Sequence, residues 1–293
     1  MNNGCPPSAA TCKEPDPETV STAQFTAEMS WLARAGYHSV TLTQYLAWLA
    51  DPRTKLPAKP VLITADNGIG NFLQGAQPVL AEDHFTATAF LVTGFADGAA
   101  GACAPHYTVA GRSYDVQPGC DKDNLGWDLT WAQLKALNPQ VWEFSLEAGL
   151  AGHYVQAYDG TRCPVYDACV MPGETTAQYE TRVADELALG TGTLNRELPG
   201  RVVAGAWVVP YSDAGYKRCA QSDCTPQPYT GPAGWLANYA AAHFGAVFVE
   251  DAYRNGTGRE RFRFDVNGQD TLTYFTKTLA AFTAAGDFDR TGP

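Results

Sequence analysis

No apolar run in the 293-residue chain approaches the ~18 residues that a membrane-spanning helix requires, and no basic stretch followed by an apolar core precedes Asn2. Neither a membrane span nor an uncleaved signal peptide is therefore expected. Positive charge is scarce: 20 Lys and Arg stand against 31 Asp and Glu, a formal charge of -11. No Lys/Arg cluster occurs, which argues against a nucleic-acid backbone or an anionic membrane surface as partner. There is no CxxC knuckle and no mixed Cys/His set of the kind that structural zinc prefers. No internal repeat is visible, and low complexity is confined to the Ala/Gly run at 96–102. Length adds a positive bound. Chains of about 300 residues bury roughly three quarters of their unfolded surface, so this one can hold a core unaided, as one large α/β domain or two small ones.

The eight cysteines fall as four close pairs: Cys5 and Cys12, Cys103 and Cys120, Cys163 and Cys169, Cys219 and Cys224. Each pair sits in a Gly/Pro/Asp-rich stretch, where no apolar periodicity would hold the loop. Local disulfides Cys5–Cys12, Cys103–Cys120, Cys163–Cys169 and Cys219–Cys224 are the natural reading, although eight cysteines permit about 105 pairings. Disulfides imply an oxidising compartment. The expected history is a secreted, extracellular protein whose leader was removed, with Met1 added for expression.

Along the chain, strand and helix patterns alternate. Helical spacing covers 22–36, with Phe25, Met29 and Leu32 on one side, and again Thr41–Leu49, Asn71–Glu82, Leu129–Leu137, Trp235–His243 and Thr271–Ala284. A long helix opens at Glu174 and runs to Leu198, placed on the outside with its charges in solvent. Strands read as Pro60–Asp66, Thr86–Thr93, Val141–Ser145, Val202–Tyr211, Ala246–Glu250 and Arg261–Val266. Alternation of this kind means parallel strands with helical crossovers, an α/β sheet or barrel in one domain. In such folds the chemistry gathers at the carboxyl ends of the strands.

Three strand tips carry candidate groups. After PVLI comes Thr64-Ala65-Asp66-Asn67-Gly68, whose carboxylate serves either as base or ligand in a pocket or as a helix N-cap. After VWEFS, Glu147 and His153 lie six residues apart across a glycine-bearing loop, a spacing compatible with two ligands on one cation. After VVAGAWV comes Val209-Pro210-Tyr211-Ser212-Asp213, where Pro210 stiffens the turn and the Tyr211 amide can face a pocket as an oxyanion donor.

Taken in order, PVLITADNG, TATAFLVTG, LTWAQLKAL, the Glu147–His153 loop and WVVPYSD resemble the polysaccharide deacetylase (NodB-homology) family, carbohydrate esterase family four. The similarity is nearest to the branch that de-N-acetylates poly-N-acetylglucosamine and extends over about residues 20–285. It implies a distorted (β/α) barrel over 21–293, preceded by a disulfide-bearing segment 1–20. It also implies metal-assisted amide hydrolysis, with a divalent ion, commonly zinc, holding the acetyl oxygen and a water. By position, Asp66 matches the catalytic base, Asn67 a metal-binding Asp and His153 a metal-binding His. Pro210 and Tyr211 match the oxyanion turn, and Tyr154 and Asp213 join the expected substrate contacts.

Departures from the pattern matter equally. The usual TFDDG reads TADNG, so a charged ligand has become an amide, and Glu147 or Ala148 stands where a first metal His belongs. An Asn67/Glu147/His153 set accepts a hard divalent ion but holds zinc less well than two imidazoles and a carboxylate. The late Leu-x-His segment is missing, and His243 lies inside an apparent helix. The family's Arg that orients the base has no motif here; Arg162 and Arg182 are the candidates. Two classes of function follow. One is a secreted, monomeric esterase removing acetyl groups from a polysaccharide or oligosaccharide; the other is a saccharide-binding protein on the same fold that has lost turnover. A third, glycoside cleavage by Asp66 and Glu147, requires carboxylates about 5–9.5 Å apart. Trp127, Trp131, Trp235, Tyr154, Tyr158 and Tyr211 are candidates to stack on sugar faces, whereas Trp207 reads as core.

Overall fold

The computed structural model describes residues 20–68, 70–99, 106–109, 112–116, 128–149, 155–157, 162–163, 169–170, 174–209, 225–226, 235–249, 260–264, 266, 268 and 270–285. In chain order the elements are α1 (Thr22–Arg34), β1 (His38–Ser39), α2 (Leu42–Ala50), β2 (Pro60–Val61), β3 (Thr64–Ala65), α3 (Gly70–Glu82), β4 (Ala87–Val92) and α4 (Thr93–Ala99). There follow β5 (His106–Val109), β6 (Arg112–Val116), α5 (Trp131–Ala136), β7 (Trp142–Ala148), β8 (Val155–Ala157), β9 (Arg162–Cys163), β10 (Cys169–Val170) and α6 (Thr176–Glu197). The chain ends through β11 (Val202–Val209), β12 (Thr225–Pro226), α7 (Trp235–His243), β13 (Ala246–Val249), β14 (Glu260–Phe262) and α8 (Leu272–Ala285).

Six strands form one sheet in the order β14-β13-β11-β7-β4-β3, and every pair in it is parallel. The reason is legible in β4, where all six residues are buried: a strand covered on both faces is continuous apolar chain, as parallel sheets demand. Alternate residues supply two cores. Ala87, Ala89 and Leu91 of β4 join Trp142, Phe144 and Leu146 of β7, Trp207 and Val247 under a layer built by α1, α3, α5 and α6. Phe90, Ala206, Val208, Ala246 and Phe248 face the other way, onto Val40, Leu42 and Tyr45 of the α2 region. Trp142, Trp207, Phe90 and Phe144 are each less than 2 % exposed or nearly so, and truncating any such ring costs about 3–5 kcal/mol.

Several elements differ from the sequence expectation. The expected strand Pro60–Asp66 is two short strands, because Pro60 and Val61 pair with β1 while Thr64 and Ala65 pair with β4. Helix α4 occupies the start of the glycine-rich excursion. Beyond it β5, β6, β8 and β9 make an antiparallel sheet from two separate segments, and β10 pairs antiparallel with β12. Helix α6 starts at Thr176 on an N-cap Thr175, one residue beyond Glu174. The expected disulfides lie outside what is described: Cys5, Cys12, Cys103, Cys120, Cys219 and Cys224 fall in undescribed segments, and of Cys163 and Cys169 only the backbone of β9 and β10 is described.

Candidate functional site

The site grows from the turn after β3. Asp66 leaves the strand, Asn67 takes φ +67 and Gly68 φ +93, and the Gly68 N–H donates back to the Asp66 carbonyl at 2.8 Å. Asparagine tolerates the left-handed region, so the first of these positions is cheap for it. The φ of Gly68 favours glycine, and a Cβ there would also stand 2.9 Å from Leu91 Cδ2, so that side chain would have to shift. The turn is laid over the end of β4: Val92 N–H donates to Asn67 O at 3.4 Å, and Leu129 N–H to Gly68 O at 3.3 Å.

Asp66 is held by a residue that sequence reasoning missed. Arg263, the first residue beyond β14, donates from both terminal nitrogens to the two carboxylate oxygens at 2.6 Å each, and from one of them to Thr64 Oγ1 at 3.3 Å. Side-chain exposure is 12% for Arg263 and 18% for Asp66, so the pair is sheltered but its carboxylate still reaches solvent. Two-point attachment fixes the plane of the carboxylate, which a lysine cannot do. Of the expected alternatives, Arg182 is corrected, being fully buried in an ion pair with Glu174 at 2.8 Å, whereas the side chain of Arg162 lies outside the described residues. The signal for Arg263 was present in RERFRFDV, where alternation puts Arg261 and Arg263 on one side of the last strand of an acidic chain.

Glu147 is in β7 itself, not in the loop that follows. Leu91 pairs with Leu146 and Val92 with Ala148, so Glu147 is the extra residue of a bulge, a device that re-aims a side chain. Its carboxylate accepts the Asn67 N–H at 2.6 Å, and its carbonyl accepts Trp207 Nε1–H at 2.9 Å. Trp207 is core, as its apolar strand suggested, and it also pins the bulge. Glu147 is 2 % exposed. With one oxygen on a backbone amide and no open face, it does not offer the exposed acid that glycoside cleavage by Asp66 and Glu147 would need.

Asp66, Asn67 and Glu147 are thus brought together, while His153, Tyr154, Pro210, Tyr211 and Asp213 lie outside the described residues. Strands β7 and β11, which lead into those two segments, are parallel neighbours and end on the same edge of the sheet. Among the described residues no group of three or more His, Cys, Asp and Glu side chains is placed to hold a metal ion. Asn67 Oδ1 is buried without a hydrogen-bond partner and is an available hard donor, whereas one Glu147 oxygen is already engaged by the Asn67 N–H. The described part of the site does not by itself fit zinc, which favours nitrogen and sulfur ligands.

Asp128 is a second residue that the sequence did not single out. It lines a recess with Asn67, Gly68, Leu91, Val92, Phe95, Ala96, Leu129 and Leu134. Burial among these apolar walls raises its carboxyl from 3.8 to about 7. Trp131, a candidate sugar platform, is 9% exposed and belongs to the core. His243 is on α7, stacked on Tyr239 with ring centroids 4.2 Å apart.

No protein-family model matches the chain, and no curated protein matches it in sequence. Solved structures do. A de-N-acetylase from Aggregatibacter actinomycetemcomitans superposes with TM-score 0.64 over 92% of this chain and 94% of its own, at 16% identity. IcaB from Ammonifex degensii gives 0.57 over 90% of each chain at 20% identity, and the BpsB deacetylase domain from Bordetella bronchiseptica 0.55 over 87% and 89% at 17% identity. Coverage of both partners is near-complete, and the fold of this chain is that of the polysaccharide deacetylases.

Proposed function

We propose that the chain is a secreted polysaccharide deacetylase that hydrolyses acetyl groups, first among them the N-acetyl group of an amino-sugar polymer, with Asp66 as base. The observation that carries this reading is the Asp66 carboxylate, standing at the carboxyl end of β3 and oriented by both nitrogens of Arg263. In the reaction, Asp66 accepts a proton from water as its oxygen attacks the acetyl carbonyl carbon. The C–N bond then breaks as Asp66 returns that proton to the leaving nitrogen; the acid proton of the released acetic acid passes to the free amine, so that an ammonium group and acetate remain and Asp66 is again a carboxylate. Arg263 has no proton to trade at working pH; it sets the direction of the carboxylate lone pairs. Asn67 and Gly68 hold that carboxylate forward on a turn with two left-handed residues. Pro210 and Tyr211 are proposed to supply the oxyanion donor, and Tyr154 and Asp213 further sugar contacts. No step is assigned to a metal, because Asn67 and Glu147 do not complete a site and His153 is undescribed.

The test is acetate release from acetylated chitooligosaccharides or poly-N-acetylglucosamine, with and without added divalent ions. Loss of the base, Asp66→Asn, is expected to lower release by about 10²–10⁴-fold. A second reading, saccharide binding without turnover, is favoured by the engagement of Glu147 with the Asn67 amide. Oligosaccharide binding by a wild-type protein that releases no acetate under any of these conditions would establish it instead.

A further inference from the structure

The chain leaving β7 is held from two helices before it continues toward residue 153. Gly149, the first residue after the strand, donates its N–H to Glu186 Oε1 at 2.6 Å. Its carbonyl accepts the N–H of Gly94 at 2.9 Å and the hydroxyl of Thr93, both on α4. Glu186 lies on α6, four residues from Arg182 and four from Gly190, so the three share one face of the helix. Arg182 and Glu186 are each 0% exposed. Gly190 meets Gly149 backbone to backbone: a Cβ on Gly190 would stand 2.6 Å from Gly149 Cα and 2.7 Å from Leu146 Cδ1. A Cβ on Gly149 would stand 2.3 Å from the Glu186 carbonyl oxygen.

Fully buried acidic and basic side chains are costly, and an apolar helix face would pack here with less penalty. What an apolar residue cannot do is accept the N–H of Gly149, a group that leaves the sheet ladder at the point where β7 ends. Two residues earlier is Glu147, whose carboxylate holds the Asn67 amide beside Asp66. We propose that Glu186 is a positioning residue of the candidate site, which by fixing Gly149 sets the end of β7 and, through Glu147, the turn that carries Asp66. This rests on the Asp66 turn being the functional centre, as in the proposed function, but not on turnover.

The role requires an acceptor oxygen at position 186 and no particular charge. Glu186→Gln keeps that oxygen, Glu186→Ala removes it, and Gly190→Ala displaces Gly149 while leaving Glu186 in place. Amide hydrogen exchange at Gly149 and Asn67 in the full chain is the direct readout, with acetate release measured in parallel. Glu186→Ala and Gly190→Ala are expected to speed exchange at both amides about tenfold or more, the effect of one lost buried hydrogen bond, while Glu186→Gln stays within about threefold of wild type. Acetate release should follow, with kcat down about tenfold and KM within about twofold for the first two variants, and rescue in the third. Wild-type exchange at Gly149 and Asn67 in Glu186→Ala, or Glu186→Gln as fast as Glu186→Ala, overturns the proposal. Should Glu186→Ala fail to fold, Gly190→Ala decides: unchanged exchange at the two amides overturns it, and selective acceleration supports it. A wild type that releases no acetate counts against the deacetylase reading alone, since the exchange comparison still decides the role of Glu186.

Discussion

Two carboxyls, Glu28 and Asp128, are held protonated well above the usual range by their surroundings. Glu28, on α1 and 1% exposed, is pushed up from 4.5 to about 7 by burial; the Gln24 amide donating to Oε1 at 3.0 Å partly opposes this and the Asp270 charge adds to it. Asp128 rises from 3.8 to about 7 by burial alone. In both cases the folded protein binds the proton more tightly than the unfolded chain. Stability is therefore full below about pH 4, declines as pH rises toward 7, and levels off above it. For Glu28 the loss is on the order of 3 kcal/mol across that window. Glu28→Gln should raise the unfolding midpoint at pH 8 and leave it nearly unchanged at pH 4.5, and Asp128→Asn should do the same. Thermal melts across pH 4–8 check this, and curves that run parallel to wild type would contradict it. Because Asp128 shares its recess with Asn67, Asp128→Asn also reports whether that recess tolerates a neutral amide beside the Asp66 turn.

Helices α2, α5 and α6 each begin on the same device, a Thr whose side chain accepts the amide of a Gln three residues on while that Gln accepts the Thr amide: Thr41 with Gln44, Thr130 with Gln133, Thr175 with Gln178. Removing one, Thr175→Ala, is expected to cost about 1 kcal/mol, read as a lower urea midpoint with an unchanged slope. Elements with strong local pattern were readable in the chain. The buried strand TATAFLVT is β4, VVAGAWVV is β11, and the periodicity of Phe25, Met29 and Leu32 is α1. Unreadable were elements whose existence depends on a distant partner. Helix α4 is Thr93–Ala99, a Gly-bearing segment too short for periodicity, and β5, β6, β8 and β9 are strands of two to five residues that pair across separate segments. The expectation that α6 keeps its charges in solvent fails at Arg182 and Glu186, because charged residues at helical spacing look the same whether water or a buried partner faces them. At the site, Asp66, Asn67 and Glu147 were visible as polar residues at strand ends. Arg263 was marked only by the alternation in RERFRFDV, and its pairing with Asp66 was not legible, since nothing near position 66 announces a partner 197 residues away.

For the molecule as a whole, the sheet is a half-barrel whose first strand in sequence, β3, and last, β14, lie at opposite ends of the strand order. The side chains just beyond these two edges nevertheless meet, in the Arg263–Asp66 pair. What joins the seam at its carboxyl end is an ion pair, with no strand ladder there among the described residues. Arg263→Lys and Arg263→Met should both lower acetate release by about 10-fold or more, since neither holds a carboxylate at two points. They should also lower stability by about 1–3 kcal/mol, the cost of leaving a sheltered charged group without its hydrogen bonds. Acetate assays and urea unfolding of the two variants are the check; wild-type release by Arg263→Lys would show that the charge alone suffices. The same pair has a consequence in time. Its partners are 197 residues apart, so at roughly 5–20 residues per second a ribosome delivers Asp66 roughly 10–40 seconds before Arg263. Throughout that interval the growing chain carries Asp66 without the guanidinium that holds its carboxylate, and a product cut short anywhere before position 263 never acquires it. The Arg263–Asp66 pair is thus reserved for chains made at least as far as position 263.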